Sequence, residues 1–187
     1  MTRLISWGAG ILAAALVVAA AFSHAYAQNG TTTHKRTFLT FSGAVQVPGA
    51  TLPAGTYVFR LATPDDQMVW QVLDPSEHHV LASFFCVSTR DRTTQEQNRA
   101  SGKPVVRFYE TPRGVMPAMR VLYYPWDSAG YALLYPTSQA EELAALTNQP
   151  VLATDSNPAK SPFAHVMTVQ PAPDAASQAA EAVEQSR

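Results

Sequence analysis

The sequence predicts a mainly β protein that folds as a single antiparallel β-sandwich with one short helix near its C-terminus. Three observations support this class. Short runs of alternating apolar and polar residues recur along the chain, Gly- and Pro-containing turns separate them, and a helical pattern occurs late, at residues 138–147. Jelly-roll and immunoglobulin-like sandwiches both satisfy this pattern, and a partly closed barrel is the alternative architecture.

The N-terminal residues have the three-part organisation of a secretory signal peptide. Arg3 provides the positive start, residues 4–22 are almost wholly apolar, and small residues at Ala25 and Ala27 form a cleavage site. We therefore predict a signal peptide over residues 1–27 and export to the periplasm or the cell exterior. The apolar run is also long enough for an uncleaved membrane anchor, which is the alternative.

The chain that remains after cleavage is near neutral, with 12 Lys and Arg against 14 Asp and Glu. This balance gives no reason to expect a nucleic acid as partner. No second long apolar segment follows, so we expect no membrane span after signal removal. The length suits one domain, which we place at residues 37–168, between a flexible leader at residues 28–36 and a disordered tail at residues 169–187.

Alternation begins directly after the leader and predicts the first strands. The first strand spans residues 39–47, with a bulge at Gly43, and ends at a Pro-Gly turn. The next segment, LPAGTYVFRL at residues 52–61, joins a turn to a strand, and we expect Gly55 to adopt the left-handed conformation that closes this turn. Residues 68–73 return as the hairpin partner of this strand.

The longest apolar strand follows. Residues 79–88 are apolar on both faces for much of their length, which predicts a central strand, and Cys86 is expected there as a buried thiol without a disulfide partner. Residues 90–103 are polar and lack periodicity, so we predict a long loop. A capping box that begins at Ser138 starts the helix at residues 138–147. Between the loop and the helix, three further strands are predicted at residues 105–110, 119–124 and 131–135.

Residues 41–49 and the LPAGTYVFRL motif at residues 52–61 together resemble a family of small exported bacterial proteins of unknown function. The resemblance continues to the predicted helix, through residues 135–136, 140–144 and 147–151, and covers most of the mature domain. This family has no established activity or catalytic residues, so the resemblance implies no site.

The residue patterns of common catalytic and metal sites are absent from the sequence. There is no Gly-x-Ser-x-Gly elbow and no glycine-rich phosphate loop. Asp65 and Asp66 could be a pair of catalytic carboxylates, but they directly follow Pro64, and Asp is a common residue of turns. Glu77, His78 and His79 are adjacent, but neighbouring residues of a strand point to opposite faces. We therefore predict no catalytic residues, no cofactor and no metal ligands.

Two groups of residues are candidates for a binding surface. Between residues 90 and 120 the chain has seven basic residues against three acidic ones, an excess that can attract an anionic glycan or a lipid headgroup. The second group is aromatic, and such side chains at strand ends stack on sugar rings or anchor a protein partner. The alternatives are a solvated surface for the first group and a cap on the core for the second. The basic residues are Arg90, Arg92, Arg99, Lys103, Arg107, Arg113 and Arg120, and the aromatic residues are Tyr123, Tyr124, Trp126, Tyr131 and Tyr135.

The sequence therefore predicts a non-catalytic exported domain with a structural or partner-binding role in the cell envelope, where its partner is a protein or a glycan. The alternative is a carbohydrate- or lipid-processing enzyme with an unrecognised site. Polar side chains that converge in a deep cleft would favour the enzyme, whereas a filled core with flat polar faces would favour the binding domain.

Overall fold

The computed structural model describes residues 35–63 and 66–172, with the backbone alone at residues 63, 66 and 67. The predicted signal peptide, most of the predicted leader and the chain beyond residue 172 lie outside the described residues, as do the side chains of Asp65 and Asp66. Cleavage of the signal peptide and export of the protein stay predictions.

Strands dominate the regular structure of the described residues, which confirms the mainly β class. Two helices interrupt them in this part of the chain. In chain order the elements are β1 (Arg36–Phe41), β2 (Val45–Val47), β3 (Ala50–Leu52), β4 (Gly55–Thr63), β5 (Asp66–Leu73), β6 (Val80–Thr89), α1 (Arg92–Ser101), β7 (Val105–Phe108), β8 (Met119–Tyr123), β9 (Gly130–Leu133), β10 (Tyr135–Pro136), α2 (Thr137–Thr147), β11 (Val151–Thr154) and β12 (Val166–Val169).

Seven strands form one antiparallel sheet in the order β1-β4-β5-β6-β9-β8-β7. β6 lies in the middle of this sheet, which confirms the central position predicted from its apolar sequence. The predicted hairpin is also confirmed, because β4 pairs with β5. The sheet curls into a half-barrel, so that its two edges approach each other, and the rings of Phe41 in β1 and Phe108 in β7 have centroids 6.4 Å apart.

The curl of this one sheet encloses the main core, to which two small sheets, β2-β3 and β10-β11-β12, also contribute side chains. This half-barrel is closer to the partly closed barrel, our alternative, than to the predicted sandwich. Alternation within strands does not distinguish the two, because both place every second residue inside, whereas the coiling of a twisted sheet decides between them. The main core includes Leu39, Phe59, Leu61, Trp70, Val72, Phe84, Leu122, Leu133 and, as predicted, Cys86.

The segment predicted as one strand with a bulge at Gly43 consists of two strands in different sheets. β1 pairs with β4, whereas β2 pairs with β3 across a turn in which Gly49 has φ +75°. The predicted inside–outside alternation still holds, because Leu39 and Val45 are both buried. Gly55 has φ +158°, close to extended and far from the left-handed conformation predicted for it, because it is the first residue of β4.

The predicted loop at residues 90–103 contains helix α1, so the prediction of a single helix was wrong. Asp91 is the N-cap, and its carboxylate accepts hydrogen bonds from two backbone amides of the first turn. Gly102 ends the helix in the left-handed conformation, with φ +61°. The residues that α1 buries are the polar Thr94 and Asn98. No apolar periodicity therefore marked this helix in the sequence.

The helix predicted at residues 138–147 is confirmed as α2, which begins one residue earlier. Its predicted capping box does not form, because Pro136 is the N-cap and has no side chain that accepts a hydrogen bond. α2 packs Leu143 and Ala144 into the main core. Two strands follow it, and β12 ends at Val169, one residue inside the predicted tail.

Candidate functional site

A cleft of about 660 Å³ lies on the face of the main sheet that points away from the core. On β8, Leu122 packs into the main core, whereas its neighbours Val121 and Tyr123 belong to a separate apolar cluster that forms part of the cleft floor. The walls come from the end of β6, the residues before α1, β7 and the beginning of β11. Clefts of this volume are typical of small-molecule sites.

The first turn of α1 sets the position of Arg107 in this cleft. The Nε and Nη2 atoms of Arg107 donate hydrogen bonds to the Thr94 hydroxyl at 3.1 and 2.9 Å. The Thr94 hydroxyl in turn donates to the Asp91 carboxylate at 2.7 Å. This last bond and, to a smaller extent, the charge of Arg107 hold the pKa of Asp91 below its ordinary value. Asp91 therefore stays ionised as the cap of α1 and orders Arg107 through Thr94.

A buried tyrosine orders a second arginine. The guanidinium carbon of Arg120 lies 5.4 Å from the ring centroid of Tyr109, within the range of a cation–π interaction. Burial raises the pKa of the Tyr109 phenol, and Arg120 and the backbone of Leu152 oppose this only in part. Burial, followed by the charge of Asp91, likewise raises the pKa of Tyr123. Both phenols are therefore neutral at physiological pH.

The structure brings three of the seven predicted basic residues into one place. Arg90, Arg107 and Arg120 line the cleft together with two acids, Asp91 and Glu110. We call this site the arginine cleft. Positive charge predominates in it, because three arginines line it against two acids. The other four basic residues lie outside the lining: Arg92 and Arg99 on α1, Lys103 just after α1, and Arg113 in the turn between β7 and β8.

The structure separates the aromatic residues that were predicted as a second binding group. Tyr123, Tyr131 and Tyr135 are buried. The alternative prediction, a cap on the core made by Tyr123, Trp126 and Tyr131, is therefore consistent with the burial of the two tyrosines and wrong for Trp126. Tyr124 is half-buried against the main core. Trp126 is 71% exposed, which leaves it as the candidate contact residue of this group.

Glu77, His78 and His79 form a solvated turn. Both imidazoles are exposed, His79 Nδ1 lies 3.4 Å from the Asp74 carboxylate, and Glu77 pairs with Arg36. Within residues 35–63 and 66–172, no three side chains of His, Cys, Asp or Glu gather as a metal site requires. That the protein holds no metal stays a prediction, and elemental analysis of the purified protein would test it.

A second cleft, of about 420 Å³, lies beside the N-terminus of α2. Apolar side chains and the hydroxyl groups of Ser and Thr line it, and Asp155 is the one charged residue of its lining. The arginine cleft thus has the greater concentration of ionisable side chains. Sequence reasoning missed the part of Asp91 and Tyr109 in that cleft, although Asp91 eleven residues before Gly102 is consistent with a capped helix.

No protein-family model, curated protein or solved structure matches this chain. The resemblance to a family of small exported bacterial proteins therefore stays a prediction from the motif at residues 52–61. In the described part of the chain, neither helix is both long enough and apolar enough to cross a bilayer.

Proposed function

We propose that the protein is a non-catalytic, exported domain of the cell envelope that binds an anionic group in the arginine cleft. The ligand is a carboxylate- or phosphate-bearing glycan, or a lipid headgroup of the same chemistry. The observation that supports this function is the convergence of Arg90, Arg107 and Arg120 on one cleft. The near-neutral charge of the whole chain argues against a nucleic acid as the ligand.

Guanidinium groups suit this role, because their planar array of donors matches the oxygens of carboxylate and phosphate. Two of the three are ordered before a ligand arrives: Thr94 holds Arg107 and the ring of Tyr109 holds Arg120. An ordered donor loses little side-chain entropy on binding, which favours affinity. The neighbouring Glu110 repels a bare anion and so favours ligands whose charges are spread along a chain.

The test is calorimetric titration of protein purified from cells that express the full chain. The probes are galacturonate, inorganic phosphate and vesicles that contain phosphatidylglycerol. We expect R107Q and R120Q each to weaken binding about tenfold or more, since a charge-assisted hydrogen bond contributes about 1.5–3 kcal/mol. R113Q is the matched control, because Arg113 belongs to the same basic segment but does not line the cleft.

The pattern among the probes identifies the source of the anionic group. Preference for galacturonate indicates a glycan, and preference for the vesicles indicates a lipid headgroup. Equal losses in R107Q and R113Q would show that the general charge of the segment, and not the cleft, attracts the ligand. If the protein binds none of the three probes, the proposed function is wrong.

The alternative, a carbohydrate- or lipid-processing enzyme, has one observation in its favour: polar side chains do converge in the cleft. Hydrolysis of a glycosidic bond usually requires two carboxyl groups in catalytic roles. Of the two acids that line the cleft, Asp91 is engaged as a helix cap, and Glu110 alone is left. Release of product from a polysaccharide or phospholipid, abolished in E110Q, would favour the enzyme over the binding domain.

A further inference from the structure

Trp126 presents its indole to solvent from an unfavourable backbone conformation. The residue is 71% exposed and has φ +60° in the left-handed region, which bulky residues rarely adopt. It occupies the third position of a turn that is closed by a hydrogen bond of 3.1 Å from the Asp127 amide to the Tyr124 carbonyl, and glycine is the usual residue there. Local preference does not explain a tryptophan at this position, and such strain is concentrated at functional sites.

Gly102 lies close to the Nε1–Cε2–Cζ2 side of this indole. A Cβ atom on Gly102 would lie only 2.9 Å from Cζ2 and 3.3 Å from Cε2 of Trp126, so the ring packs directly on the glycine backbone. Gly102 is also the residue that ends α1. The high exposure of Trp126 shows that the rest of the ring is open to solvent. The result is an aromatic surface that is held from one side and accessible from the other.

Exposed basic side chains lie between the arginine cleft and Trp126. Arg92 and Arg99 share the outward face of α1, and Lys103 follows the end of the helix. The cleft is at the beginning of α1 and Trp126 is at its end. Because α1 has 10 residues, its two ends are about 15 Å apart at 1.5 Å per residue. An oligosaccharide can cover this distance, and acidic groups along it would meet the positive charges of Arg92, Arg99 and Lys103, which outnumber the one carboxylate of α1, the exposed Glu96.

We infer that Trp126 is a sugar-stacking subsite, and that the ligand of the arginine cleft is an anionic glycan chain that lies along α1. Its acidic groups contact the arginines, and the apolar C–H face of one sugar ring stacks on the open indole face. This inference rests on the proposed function and narrows it, because a single anionic headgroup in the cleft does not reach Trp126.

The first experiment compares the affinities of wild-type protein and W126A for a galacturonic acid oligomer and for the galacturonate monomer. We expect the wild-type protein to bind the oligomer more tightly than the monomer. W126A should lose about tenfold in oligomer affinity, equivalent to about 1.4 kcal/mol, and should keep its affinity for the monomer. F163A is the matched control, because Phe163 is an aromatic residue with 79% exposure outside this surface.

A second measurement follows ligand binding in the wild-type protein, and a conservative variant is needed only to assign the emission. Bound oligomer should protect Trp126 from acrylamide quenching, whereas Trp70, which is 1% exposed, is shielded at all times. W126F identifies the part of the emission that belongs to Trp126.

The outcomes separate this inference from the proposed function. Oligomer affinity that is reduced in R107Q and unchanged in W126A, without protection of the indole, overturns the stacking subsite and leaves the arginine cleft standing. Protection of Trp126 by phosphatidylglycerol vesicles but not by the oligomer assigns this surface to a membrane and also overturns the inference. A wild-type protein that binds neither oligomer nor monomer contradicts this inference, and it contradicts the proposed function as well if inorganic phosphate and phosphatidylglycerol vesicles also fail to bind.

Discussion

At the scale of single residues, Gly102 is a position where one added methyl group should be costly for two separate reasons. Its φ of +61° is unfavourable for any residue with a side chain, and the new Cβ would lie 2.9 Å from the Trp126 ring. We expect G102A to lower the free energy of unfolding by about 2 kcal/mol in urea titration. G43A is the control, because nothing lies within 4 Å of a Cβ at Gly43.

The two causes can be separated by a second substitution. In a W126A background the steric contact is gone and only the backbone conformation remains, so G102A should cost about 1 kcal/mol. An equal cost in both backgrounds would show that the indole does not pack on Gly102, which would also weaken the case for a stacking subsite there.

At the scale of elements, the N-terminus of α1 connects the stability of a helix to the shape of the arginine cleft. Asp91 accepts hydrogen bonds from the backbone amides of Thr93 and Thr94 and from the Thr94 hydroxyl, which itself holds Arg107. Loss of the carboxylate therefore removes the helix cap and releases a ligand-binding arginine at once. Asparagine can still cap a helix, whereas alanine cannot.

We expect D91A to accelerate amide exchange throughout α1 and to weaken anion binding, with D91N less affected in both. E96A is the control, since Glu96 is an exposed acid on the same helix that takes no part in the cap. Because the pKa of Asp91 is lowered by folding, its contribution is present above the ordinary value of 3.8 and is lost as the pH falls. Exchange in α1 that responds equally to D91A and E96A would contradict this role of the cap.

At the scale of the whole molecule, side chains form a seam between the beginning of β1 and the segment that joins β8 to β9. Lys35, just before β1, donates to Asp127 at 2.8 Å and also to the Tyr131 hydroxyl. Tyr131 donates to Asp127 at 2.9 Å. The Tyr124 hydroxyl, after β8, donates to the backbone carbonyl of Arg36 at 3.3 Å. These contacts join the first strand to the opposite side of the sheet without continuous backbone pairing.

We predict that the pair of Lys35 and Asp127 has a coupling energy of about 1–2 kcal/mol in a double-mutant cycle of K35M and D127N, measured by urea unfolding. The side chains are only 12% and 22% exposed, so solvent screens them weakly. The more exposed pair of Arg36 and Glu77 is the control and should show a coupling energy of about 0–1 kcal/mol. Equal couplings would mean that the buried pair does not hold the seam.

The sequence alone determined the features that depend on neighbouring residues. Alternation located the hairpin of β4 and β5, a run that is apolar on both faces located the central strand β6, and the pattern after residue 137 located α2. It also placed Cys86 in the interior, because the middle of β6 is apolar on both faces, and Phe84, Phe85 and Cys86 are all buried. Each of these predictions depends on the pattern of apolar residues within one segment, and the sequence contains that pattern directly.

Only the tertiary structure decided the features that depend on distant pairings. The sequence pattern did not predict α1, because the buried face of this helix is polar. Its buried residues, Thr94 and Asn98, form hydrogen bonds with residues of other segments. The curl of the main sheet is a sum of small twists over seven strands, so no single segment reveals it. The arginine cleft likewise depends on strand pairing, which puts Arg107 opposite Val121, one residue from Arg120. A one-residue change of register would send Arg107 to the other face of the sheet, and spacing along the chain does not specify register.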